Sequence, residues 1–347
     1  MQLSRLAWLF VVILLLSGGG HSVLFAQDPA DPDEVIRVET DVTNLPFTAI
    51  DKQKRFITTL QEGDIRVLED GVPQQLFTFQ RETDRPLALA FLIDISASEE
   101  RTLPIEKAAA RSFIETVIQS RKDQAAIIPF TGSAFLEQPL TRDILGIYRA
   151  LERVEVAMPA YLGSGRPLSG IVSGPGTRRM PREGTTAIWD AIALTATEVL
   201  GQTPEQGQEQ RRRAIILLTD GQDTSSILEI GQAIDRALWA ETVIYAIGIG
   251  DNKYEGVDKG TLRTVAERTG GRAFFPKKEV DLRKAFAEIE QELRTQYLLA
   301  YSSSNKKRDG AYRKMSIEIT NPDLQKEQVK LRHRPGYFAK RSGTPTP

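Results

Sequence analysis

Leu87-Ala88-Leu89-Ala90-Phe91-Leu92-Ile93-Asp94-Ile95-Ser96-Ala97-Ser98 decides the fold. Its first seven residues are apolar without a break, and alternation is absent. A strand with one wet face would alternate, so this one is expected to be buried on both faces, as in a parallel sheet covered by helices. Asp94 ends the run, and a polar Ser-x-Ser loop follows. A carboxylate placed where a buried strand meets its loop is a candidate ligand, because open α/β sheets bind at the carboxyl ends of their strands.

Working outward, the same texture recurs. Ala125 to Phe130, Ala214 to Leu218 and Val243 to Ile249 read as further buried strands, and Arg272 to Phe275 as a short one. Between them the spacing predicts helices over Pro104 to Arg121 (Ile105, Ala108, Ala109, Phe113, Val117 inward), Ile144 to Val154, Ala187 to Leu200, Ile227 to Trp239, Leu262 to Thr269 and Asp281 to Arg294. Strands alternating with helices of this length predict an α/β fold with a doubly wound, mostly parallel, Rossmann-like sheet over residues 86–294.

The flanks have β texture. Val35 to Val42 alternates, and Asp64–Glu69 and Pro73–Phe79 enclose Asp70-Gly71, a hairpin signal because a tight primed turn needs positive φ at its centre. Gln296 to Tyr301, Tyr312 to Ile319 and Val329 to Arg334 alternate as well. Each set is short of strands for a stable unit. The expectation is that 35–82 and 295–340 pair into one β-sandwich-like domain carrying the α/β unit as an insertion; two separate small β modules are the alternative. Residues 27–34 read as a polar, Pro-rich linker and 341–347 as a tail.

Composition removes many chemistries. The 347 residues include no cysteine, which excludes thiolate metal sites, Fe–S clusters, thiol nucleophiles and disulfides. The two histidines are His21 and His333, and the latter sits in an alternating run, as expected of a half-exposed strand residue. Net charge is -1, so no strong field favours nucleic acid, and Arg211-Arg212-Arg213 reads as a solvated helix or strand end. Arg5, the uncharged run Leu6 to Leu16 and the small residues before Gln27 describe a secretory signal peptide over 1–26, with an uncleaved anchor as the alternative. The run is shorter than the roughly 20 residues of a bilayer span. A periplasmic or secreted mature chain without a membrane span is the expectation.

Two further segments carry oxygen donors to the same rim: Gly184-Thr185-Thr186, just before a helix, and Asp220-Gly221, just after a buried strand. Each motif is weak alone. Asp-x-Ser-x-Ser is often a polar loop, Gly-Thr-Thr an N-cap and Thr-Asp-Gly a plain turn. Together on one α/β unit they offer carboxylate and hydroxyl oxygens, which suit a hard divalent cation: Mg2+, with Mn2+ or Ca2+ as alternatives. Hydroxyls are neutral donors, so such an ion stays electrophilic. Glu99 and Glu100 read as solvated.

The stretches Phe91–Ser98, Gly184–Ala191, Ile215–Gly221 and Val243–Gly250 resemble the von Willebrand factor type A domain. The resemblance implies a metal-ion-dependent adhesion site made by Asp94, Ser96, Ser98, Thr186 and Asp220. Thr185 is the rival to Thr186, whose spacing to Ile188 and Ala191 fits the family's Thr-x-Ile/Leu-x-x-Ala pattern. The flanks Leu60–Gly71 and Arg334–Phe338 are similar to exported bacterial VWFA-related proteins of the kind abundant in Acidobacteria. This chain departs from a compact member by extra length near 157–183, read either as a disordered insertion or as a specificity loop with Arg178, Arg179 and Arg182. The resemblance implies a non-enzymatic module that binds a partner protein presenting Asp or Glu. The other readings are a structural scaffold with a stabilising metal site and a metal-dependent hydrolase, the latter lacking a convincing base.

Overall fold

Two layers of helices enclose a six-stranded sheet, accompanied by two four-stranded antiparallel sheets and one two-stranded one. The structure, a computed structural model, describes residues 42–81, 85–119, 121–157, 166–167, 185–201, 211–250 and 256–341. The signal-like segment 1–26, the linker 27–34, the run before Val42, and Arg178, Arg179 and Arg182 lie outside these.

The elements run β1 (Val42–Ile50), β2 (Ile65–Glu69), β3 (Val72–Pro73), β4 (Leu76–Arg81), β5 (Leu87–Asp94), α1 (Leu103–Val117), β6 (Gln124–Phe130), β7 (Phe135–Leu136), β8 (Gln138–Thr141) and α2 (Ile144–Arg153). Then come β9 (Arg166–Pro167), α3 (Ile188–Leu194, continued by a π-helical stretch Thr195–Leu200), β10 (Arg212–Thr219), α4 (Ile230–Trp239), β11 (Thr242–Gly248), α5 (Lys259–Thr269), β12 (Ala273–Phe274) and α6 (Glu279–Arg294). The chain ends on β13 (Tyr297–Ser302), β14 (Tyr312–Ile319), α7 (Pro322–Lys326), β15 (Lys330–His333) and β16 (Gly336–Phe338).

The large sheet has the order β12-β11-β10-β5-β6-β8. All its pairs are parallel except β6 with β8, so the fold is a mostly parallel α/β sheet with one antiparallel edge strand. Every residue of β5 is buried. Successive side chains alternate between faces: Ala88, Ala90 and Leu92 pack under α3, α4 and α5, whereas Leu87, Leu89, Phe91 and Ile93 pack under α1, α2 and α6. Double-sided cover is the physical reason for the unbroken apolar run. From β5 the chain moves to β6 on one side and later returns to β10 on the other, so the order in which strands are added reverses between β5 and β10, while the strands stay parallel.

The four-stranded antiparallel sheets have orders β15-β1-β13-β4 and β16-β14-β2-β3, and β7 pairs with β9 in a two-stranded one. β1 pairs with β13 from Val42↔Ser302 to Phe47↔Tyr297, and β2 pairs with β14 from Ile65↔Ile319 to Glu69↔Met315. Leu45, Phe47, Val67, Tyr297, Leu299, Tyr301 and Met315 form their common core. The Asp70-Gly71 turn has φ of 48° and 81°, as the hairpin requires. That hairpin is only two pairs long, because the chain leaves it to run as β4 beside β13 in the other sheet.

Three sequence expectations need correction. Of the residues expected inward on α1, Ala109, Phe113 and Val117 are buried but Ile105 and Ala108 are exposed, and Leu103, Glu106, Ala110 and Ile114 complete the buried face. Arg211, Arg212 and Arg213 are half-buried rather than solvated, and each donates to a backbone carbonyl, of Lys122, Leu293 and Ala240 respectively. Glu99 is buried completely. His333 lies in β15, half-buried, with Nδ1 2.7 Å from the Arg334 carbonyl, and burial lowers its pKa.

Candidate metal centre

The register of β5 and β10 builds the site. Ile93 stands beside Leu218, so the next residues, Asp94 and Thr219, emerge together at the carboxyl end of the sheet. Asp94 is buried, and both carboxylate oxygens are held: Oδ1 accepts from the Ser96 backbone N–H at 2.9 Å and Oδ2 from the Thr219 hydroxyl at 2.6 Å. That Asx-type bond turns the chain sharply after the strand. It brings the Ser96 and Ser98 hydroxyls within 3.0 Å of each other. Thr219 Oγ also accepts from the Gly221 N–H, and Gly221 takes a φ of +87° that suits glycine. The half-buried Asp220 accepts from the Gln222 N–H through its side chain.

One carboxylate oxygen from each of Asp94, Glu99 and Asp220 lies within 4.8 Å of the others. Glu99 reaches this cluster because Ala97–Glu99 forms a single 3-10 turn that folds it back beneath the loop. Its Oε2 accepts from the Thr102 hydroxyl, and its buried Oε1 has no hydrogen-bond partner among the described residues. Thr186 is also buried, on the segment entering α3. Its N–H donates to Thr224 Oγ at 2.8 Å and its carbonyl accepts from the N–H groups of Thr224 and Ser225, which ties it to the loop after Asp220. Thr185 instead gives its carbonyl to the Thr131 hydroxyl. Asp223 caps α3 by accepting from the Ile188 N–H at 2.7 Å.

The structure therefore places Asp94, Ser96, Ser98 and Asp220 on one rim and Thr186 on the loop system beside it. Sequence reasoning missed Glu99 and Thr219. Thr219 immediately precedes Asp220, and as the last residue of a buried strand it carries no sequence signal of its own. Glu106, one turn into α1, marks the buried acid: it is spaced 3, 4 and 7 residues from Ala109, Ala110 and Phe113 on the apolar face.

Two carboxylates this close repel by about 3 kcal/mol at an effective dielectric constant of about 20. Burial, with that repulsion as a smaller contribution, raises the acids of this cluster. Burial, opposed by the bonds from Thr219 and Ser96, pushes Asp94 up to about 6. Burial and then the neighbouring Glu106 push Glu99 up to about 10, and burial pushes Glu106 up to about 7. A divalent cation answers both the repulsion and the unpartnered Glu99 oxygen, and hard carboxylate and hydroxyl oxygens fit Mg2+, Mn2+ or Ca2+.

Acid pKa values raised in the folded state mean that the folded protein holds more protons than the unfolded chain above about pH 4. Without a cation the cluster's contribution therefore worsens as pH rises through the values just given. A cation displaces those protons. The gain in melting temperature on adding Mg2+ in place of chelator should grow from about pH 5 to about pH 8, as read by scanning calorimetry; a gain that is flat or larger at the acid end contradicts the site.

Comparison with known proteins agrees with this frame. Models of the von Willebrand factor type A domain match residues 89–222 and residues 177–288. No curated protein matches the sequence. Among solved structures, the conserved hypothetical protein BatB from Bacteroides thetaiotaomicron is 20% identical, with 59% of this chain and 98% of that chain covered and a TM-score of 0.44. Proximal thread matrix protein 1 from the mussel byssus, in a structure with a zinc-occupied MIDAS motif, is 19% identical with a TM-score of 0.47; 65% of this chain and only half of that one (50%) are covered. A von Willebrand factor type A protein from Catenulispora acidiphila is 14% identical, with 88% and 76% covered and a TM-score of 0.47. With the two family matches spanning the parallel sheet and its helices, the protein is a von Willebrand factor type A domain protein.

Proposed function

We propose that this protein is an exported, metal-dependent protein-binding module of the adhesion type. Asp94, Ser96, Ser98, Thr186 and Asp220 would hold a divalent cation, through which a carboxylate of a partner protein would bind. The observation that carries the reading is the convergence of the Asp94 and Asp220 carboxylates within 4.8 Å at the carboxyl end of the sheet, beside the paired hydroxyls of Ser96 and Ser98. When bound, the cation supplies a Lewis-acidic contact for an anionic group. The residues themselves hold and orient it: Thr219 and the Ser96 N–H fix the Asp94 carboxylate, and the Asp70-Gly71 and 334–338 segments belong to the β unit, residues 35–82 with 295–340, that we take to carry the 86–294 domain.

Export rests on the signal-like sequence at 1–26; no helix among the described residues is long and apolar enough to cross a membrane. The scaffold reading, in which the ion only stabilises, draws on the complete burial of Glu99 against the same cluster. A pull-down from the exported fraction with and without chelator separates the two. The adhesion reading expects a protein captured with Mg2+ and released by chelator. Capture indifferent to chelator, with only the melting temperature responding, supports the scaffold instead.

A further inference from the structure

We propose that Glu99 is a third carboxylate ligand of the cation held at Asp94 and Asp220. The inference deepens the metal-centre reading above and rests on it.

Three observations converge. One Glu99 carboxylate oxygen lies within 4.8 Å of an oxygen from each of Asp94 and Asp220, close enough for one ion to touch all three. The side chain is fully buried, and while Oε2 is held by Thr102, Oε1 is buried with no hydrogen-bond partner among the described residues. A buried carboxylate oxygen without a partner is costly, and a metal ion is one of the few groups that can meet it. The backbone commits Glu99 to this place: the Ser96 carbonyl accepts the Glu99 N–H at 3.0 Å, and the Glu99 carbonyl accepts from Thr102. Glu106 stands on α1, also buried, and its like charge opposes that of Glu99.

The consequence is chemical. Asp94 and Asp220 alone would neutralise a divalent ion; with Glu99 the centre is net negative. More carboxylates per site raise affinity and favour the larger, more highly coordinated Ca2+ or Mn2+ over Mg2+. They also make the ion less attractive to an incoming carboxylate. A partner's Asp or Glu must then displace Glu99, so the chain's own carboxylate competes for the position the partner would take.

The test uses Mn2+ alone, titrated calorimetrically into the full mature chain and into Glu99→Gln, Glu106→Gln and Asp94→Ala. Glu99→Gln keeps the shape and removes a buried charge, and circular dichroism checks each variant's fold. The proposal expects wild-type binding, no detectable binding by Asp94→Ala, and affinity at least about 10-fold weaker in Glu99→Gln than in Glu106→Gln, which loses an equally buried charge but no ligand atom. Wild-type affinity in Glu99→Gln with Asp94→Ala inactive overturns the Glu99 assignment and leaves the metal centre standing, with a proton shared between Glu99 and Glu106. Equal losses in the two Gln variants reduce the effect to charge and also overturn it. Failure of the wild-type chain to bind Mn2+ removes the metal centre itself.

Discussion

Replacing Glu69 with alanine should lower the stability of the protein by about 3–5 kcal/mol, the range for leaving a buried polar cluster without its central charge. Glu69 ends β2 and is buried. Its carboxylate accepts from the Tyr301 hydroxyl at 2.9 Å, from the Tyr337 hydroxyl at 2.9 Å and from the Ser303 hydroxyl. Tyr301 belongs to β13 and Tyr337 to β16, so this one side chain bonds residues of both antiparallel sheets. Alanine would take the acceptor from three hydroxyls at once, of which that of Tyr301 is buried with no other hydrogen-bond partner among the described residues and that of Ser303 keeps as acceptor only the Asn305 carbonyl at 3.2 Å. Tyr337→Phe removes one bond only and should cost about 1 kcal/mol. Urea unfolding measures both; a Glu69→Ala midpoint shift that converts through the m-value to less than about 1 kcal/mol would show that the network contributes little.

Asp94→Ala should lower divalent-cation affinity by at least about 100-fold while the chain still folds. The loss is large because alanine removes both a ligand and the acceptor that shapes the Ser96–Ser98 loop. Folding survives because two effects oppose each other. The Ser96 N–H and the Thr219 hydroxyl lose their acceptor, a cost of about 1–3 kcal/mol, but the repulsion from Glu99 and Asp220 disappears. Thr219→Val, which keeps the shape and deletes only the hydroxyl that orients Asp94, should weaken affinity by about 10-fold. Calorimetric titration of Mn2+ reads both, and wild-type affinity in Asp94→Ala would refute the role given to it.

Most of the parallel sheet was legible because burial on both faces writes itself into the sequence as unbroken apolar runs, Leu87–Ile93 and Ala214–Leu218 among them. Gln138–Thr141 was not, since a polar edge strand with a proline has no such signature. Neither was β1, whose Asn44 and Pro46 interrupt its pattern though it lies between two partners. In the candidate site, Asp94, Ser96, Ser98 and Asp220 could be read from spacing and strand context. Glu99 could not. Whether an acid beside a loop is wet or buried is settled by the helix that packs over it, and on α1 the first turn buries Glu106 where helical spacing alone points to Ile105.

The most direct measurement is anomalous diffraction from crystals of the mature chain soaked in Mn2+. The account predicts a peak bridging the carboxylates of Asp94 and Asp220 beside the Ser96 and Ser98 hydroxyls, with metal–oxygen distances of about 2.0–2.4 Å. Ordered protein with no peak at that rim, or a peak elsewhere only, would contradict it.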